Sequence, residues 1–66
     1  MARWFDTGAT LSDVQTETRL ALLVHARGKH EWIPRSEAQW IRKESGETSL
    51  YVSWWLAQNR GMIGRK

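Results

Sequence analysis

Apolar and polar residues alternate across the middle of the chain. In TRLALLVHARGKHEWIPR, Leu20, Leu22, Val24 and Ala26 fall on one side of an extended strand, and Arg19, His25 and Arg27 fall on the other. Ala21 and Leu23 blur the alternation without changing its period of two. The glycine of Arg27-Gly28-Lys29 suits a turn position with positive φ, so a β-hairpin is expected there. Trp32-Ile33-Pro34 continues the returning strand. Pro34 has no N–H for a ladder and marks a strand end or an edge. Further on, ESGET has the composition of a turn. TSLYVS, over residues 48–53, is rich in β-branched and aromatic residues and predicts another strand. SWWLAQNRG then predicts a short helix near Trp54–Arg60, with Ser53 as N-cap and Gly61 at the left-handed position after it. Met62 or Ile63 would supply the apolar contact that follows such a cap. A helix this short must pack to persist.

Residues 1–13 show no period and read as an N-terminal arm. Its apolar pair, Trp4 and Phe5, is expected to dock on the domain or on a partner. Residues 14–66 read as one small β-rich domain, with three to five short antiparallel strands curled into an open barrel of OB-like size. A three-helix bundle is the alternative. Ser12 with Gln15 and Ser36 with Gln39 fit capping boxes, and Gly28 and Gly46 fit helix C-caps. On that reading residues 12–27 and 36–45 are helices. The first has a poor stripe, because Leu20, Leu23 and Val24 spread round its circumference.

Composition adds a constraint on the core. A chain of 66 residues makes one domain and buries only about 60% of its unfolded surface. It has no cysteine and two histidines, so neither a disulfide nor a zinc site is expected. Five tryptophans offer another source of burial, since each buried aromatic removes roughly 150–250 Å² from water. Trp32 and Trp55 are expected in the core. Trp40, amid Gln39, Arg42 and Lys43, is expected to face outward. Trp54 and Trp55 are adjacent and cannot share a face: Trp55 with Leu56, or Trp54 with Ala57, would bury against the sheet, and Trp54 is the better candidate for exposure. Homodimerisation is a further route to burial.

The net charge is +3, a mild preference for an acidic partner. Basic residues gather in Arg27, Lys29, Arg35, Arg42 and Lys43, and again in Arg60, Arg65 and Lys66. An ordinary solvated surface accounts for them equally well. The acids Asp6, Asp13, Glu17, Glu31, Glu37, Glu44 and Glu47 are scattered. Ser36 lies in no nucleophile elbow, and no phosphate-binding loop is present, so neither an enzyme nor a cofactor is expected. No apolar run is long enough for a membrane span, and MARWFDTGATLSD lacks the apolar core of a secretory signal. A cytoplasmic location is the expectation.

Aromatic rings interleaved with cations suit single-stranded nucleic acid, which stacks its bases on such rings. The residues expected to bind it are Lys29, His30, Arg35, Trp40, Arg42, Lys43 and Tyr51, with Trp32 and Tyr51 sharing one face of a curved sheet. The same residue types dominate protein–protein hot spots. Trp4, Phe5, Trp40, Trp54 and Arg60 are the candidates for a dimer interface or for the surface of a host protein. Salt separates the two readings, because phosphate contacts weaken steeply with ionic strength.

One longer pattern remains. Trp32-Ile33-Pro34-Arg35-Ser36, followed by Trp55-Leu56-Ala57 and Gly61-Met62, resembles a group of small bacterial and phage proteins. In these an apolar strand leads to a Trp-(Ile/Leu)-Pro-(Lys/Arg)-Ser motif and the chain ends in a Trp-Leu-Ala…Gly segment. The resemblance covers residues 20–63. It implies a compact β-rich domain with a short C-terminal helix, often carried by mobile elements. It also implies that blocking a host enzyme, such as a defence nuclease, is a role open to the protein. Trp40, Trp54 and the Trp4-Phe5 pair depart from the pattern.

Overall fold

The alternation around Gly28 folds as a hairpin. In the computed structural model, which describes residues 3–26 and 28–63, strand β3 (Ala21–Ala26) pairs antiparallel with β4 (Lys29–Pro34). Gly28 takes φ 79° in the connection, a conformation open to glycine and strained for other residues. Pro34 is the last residue of β4, where its missing N–H costs no ladder bond. Arg27, Arg65 and Lys66, counted above among the basic residues, lie outside the described residues.

Among the described residues, six strands form two three-stranded antiparallel sheets. The first joins β2 (Val14–Glu17), β3 and β4 in that order. The second places β6 (Thr48–Ser53) between β1 (Trp4–Asp6) and β5 (Ala38–Arg42). One helix, α1 (Trp54–Asn59), follows β6 directly. The architecture is thus mainly β, a small curled pair of sheets with a short C-terminal helix, and the helical bundle is not adopted. The serines that suggested helix starts lie in single 3-10 turns, Leu11–Asp13 and Arg35–Glu37. β-branched and aromatic residues downstream of both turns favour strand over helix continuation.

Residues 4–13, read above as an arm, are built into the fold. β1 pairs with β6 through Phe5 opposite Val52 and Asp6 opposite Tyr51. The pairing continues past the strand, because Thr7 donates both its N–H (3.0 Å) and its hydroxyl (2.7 Å) to the Leu50 carbonyl. Leu50 N–H in turn donates to the Ala9 carbonyl. Thr7 and Ala9 are buried as a result.

The core lies between the sheets. Leu22, Val24 and Ile33 come from one, and Leu50 and Val52 from the other. Leu56 and Ala57 close it from α1, and Met62 from the chain beyond. Ser53 caps the helix as its sequence suggested, with Oγ accepting from the Leu56 N–H at 3.1 Å. Gly61, at φ 70°, turns the chain so that Met62 N–H reaches the Ala57 carbonyl at 2.9 Å. That closes the helix end and brings Met62 onto the core.

Candidate functional site

Strand alternation decides which side chains are available. Leu22 stands opposite Ile33, and both are buried, so these positions face the other sheet. The intervening positions face solvent. There Leu23 stands opposite Trp32, and His25 opposite His30. The two imidazoles stack with ring centroids 4.6 Å apart and planes 16° from parallel. Trp32 is 46% exposed. Thr16 of β2 joins the same face opposite Leu23. Among the described residues, no carboxylate occupies a strand position on this face. Glu31 points inward with Ile33, and Glu17 stands opposite the inward Leu22.

This placement corrects the reading of four tryptophans. Trp32 and Trp55, expected in the core, are exposed, Trp55 at 63%. Trp40 and Trp54, expected to face outward, are half-buried. The reasons are local. Ile33 takes the inward position in β4, and alternation turns its neighbour Trp32 out. In α1, Leu56 and Ala57 are buried. Trp54 shares a face with Ala57 three residues on, which leaves Trp55 outside. Trp40 stands opposite the buried Leu50 and packs on the core.

The residues expected to bind nucleic acid do not converge. His30 lies on the outer face of the β2–β3–β4 sheet. Tyr51 lies on the second sheet, opposite Asp6 and Gln39, so it shares no face with Trp32. Arg42 is exposed at the end of β5, in line with Trp40. Lys29 is exposed at the start of β4, and Arg35 directly follows its end. Two of the cations are already engaged. Arg35 pairs with Glu17 at 2.7 Å and also donates to the Thr18 carbonyl. Lys43 pairs with Asp6 at 2.8 Å. Burial alone would push the Asp6 carboxyl up. The Lys43 ammonium, the Gly8 N–H and Ser49 outweigh it and hold that carboxyl below its ordinary value. The same contact with Asp6 raises Lys43.

The residues expected at a protein interface are mostly used inside the molecule. Phe5 meets Trp54 edge to face at 6.1 Å, and the Arg3 guanidinium sits 4.0 Å over the Trp54 ring. Trp4 is half-buried in β1. Arg60 donates to Glu31 Oε1 and to the Trp32 carbonyl, both at 2.9 Å, and so ties the end of α1 to β4. His25, which no motif singled out, is the ring that enlarges the exposed aromatic row. Its place opposite His30 follows from the tight turn at Gly28 between β3 and β4, and so it could have been inferred from the hairpin.

Among the described residues, no group of three or more His, Cys, Asp or Glu is placed to hold a metal ion. No helix among them is long and apolar enough to cross a membrane. No protein-family model, curated protein or solved structure matches the chain.

Proposed function

We propose that the protein is a small binding module for single-stranded nucleic acid, working through the outer face of the β2–β3–β4 sheet. One observation carries the reading: Trp32, His30 and His25 present their rings together on a solvent-facing sheet surface, with no carboxylate at a strand position of that face among the described residues. Residues two apart on a strand are about 6.6–6.8 Å apart, enough for successive unstacked bases to lie over His30 and Trp32. Each base stacked on an aromatic ring contributes about 1–3 kcal/mol. Arg35 directly follows the end of β4 beside this row, whereas Lys29 projects to the other side of the strand. The Arg35–Glu17 pair is solvent-exposed, and such pairs are weak enough to rearrange towards a phosphate.

A second reading rests on a different property of the same face. Leu23 and Trp32 are its centre, and Leu20 beside it is 75% exposed. An apolar centre of that kind suits a protein partner, as an inhibitor or adaptor acting on a host enzyme, or a second copy of the chain.

Tryptophan fluorescence during titration with a single-stranded oligonucleotide distinguishes the two. The expected result is quenching at low salt that fades as salt rises, with a log–log slope of about −0.7 per phosphate contacted. Trp32→Ala should weaken binding by roughly five- to 150-fold, the equivalent of one stacked base. No quenching at low salt, with the protein folded by circular dichroism, overturns the nucleic-acid reading and leaves the protein partner.

A further inference from the structure

The inner side of the same hairpin borders a cavity of about 240 Å³ between the sheets. Its floor is apolar, formed by Val24, Ile33, Leu50 and Met62. The polar groups around it are mostly spent. The Thr7 hydroxyl donates to the Leu50 carbonyl and accepts from the Ala9 N–H. Glu31 and Arg60 neutralise each other at 2.9 Å, and Arg60 also holds the Trp32 carbonyl. Lys29 at the lip is the one charged lining residue with no ion-pair partner among the described residues.

A ligand entering this space therefore meets an apolar floor, a rim whose Thr7, Glu31 and Arg60 side chains are already partnered, and, among the described residues, one lining cation without an ion-pair partner. We propose that the cleft binds a short unbranched apolar monocarboxylate, with its alkyl chain over Ile33, Leu50 and Met62 and its carboxylate at the Lys29 ammonium. The volume is below the range of about 300–1,000 Å³ that holds drug-sized ligands. That limits the chain to a few carbons and excludes a ring system with several polar substituents. The site is separate from the proposed nucleic-acid face, because Lys29 and Ile33 project to the opposite side of β4 from His30 and Trp32.

The test is a nuclear magnetic resonance titration of the full chain with the sodium salts of butanoate, hexanoate and octanoate. Shifts are expected at the methyl groups of Val24, Ile33, Leu50 and Met62. Affinity should rise about fourfold per methylene, the hydrophobic increment for one buried CH₂, until the cleft is full. Lys29→Gln should lose several-fold in affinity for hexanoate while binding 1-hexanol unchanged, and Lys29→Arg should restore hexanoate binding. Lys29 is exposed, so neither variant threatens the fold. Absence of shifts at millimolar concentration overturns the proposal. So do shifts confined to Leu23 and Trp32, or equal binding of hexylammonium.

Discussion

The contact between Asp6 and Lys43 shows what a single residue contributes beyond its place in a pattern. It joins β1 to the end of β5 across β6, through Lys43 Nζ at 2.8 Å from Asp6 Oδ2. The sequence marks Lys43 as a cation for a partner, but the partner it meets lies 37 positions earlier in its own chain. Its pH dependence follows from the shifts at both ends. Asp6 is lowered from 3.8 on folding, so its contribution is present above that value and is lost as pH falls through the lower folded one. Lys43 is raised from 10.5, so its contribution is present below that value and is lost as pH rises through the higher folded one. Between these limits the contact acts in full. Urea unfolding of the wild type and Asp6→Asn from pH 2 to 7 should show curves that approach each other in acid. A constant difference down to pH 2 would mean that the carboxylate charge contributes nothing.

Elements were legible where their signal is local. β6 and α1 sit within a residue of their expected bounds, because Thr48–Ser53 has the right composition and Ser53 and Gly61 punctuate the helix. β1 and β2 were not legible. β1 has three residues and no period to detect, and its partner β6 lies far along the chain. β2 breaks its register between Val14 and Thr16, and three of its four residues are exposed, so no alternation betrays it. The exposed aromatic row was half legible. The hairpin placed His25 opposite His30, but knowing that Trp32 faces out required knowing that Ile33 faces in. The cap at Ser53 gives a test at this scale. Ser53→Ala removes the acceptor for Leu56 N–H and should cost about 1 kcal/mol, read as a lower urea midpoint. Ser53→Asp, another good cap, should keep most of it.

For the whole molecule the question is whether two three-stranded sheets and a six-residue helix suffice without a partner. Trp32 and Trp55 are exposed and not in the buried cluster, so the tryptophans do not build the core that their number suggested. Aliphatic residues build it instead, with Leu50 at its centre: 1% exposed, opposite Trp40, and bound at both backbone groups by Thr7 and Ala9. Leu50→Ala should cost about 2–5 kcal/mol, the usual range for a buried leucine. Domains of this size rarely hold more than about 3–5 kcal/mol in their core, so the variant should lose its cooperative unfolding transition. Trp55→Ala removes a larger side chain from the surface and should shift stability by no more than about 0.5 kcal/mol. Repeating the wild-type melt over a hundredfold range of protein concentration completes the argument. A fixed midpoint means that one chain supplies its own core and leaves Trp32 free for a ligand. A midpoint that rises with concentration means that folding is linked to association, and the Trp32 face is then the first place to look for the second copy.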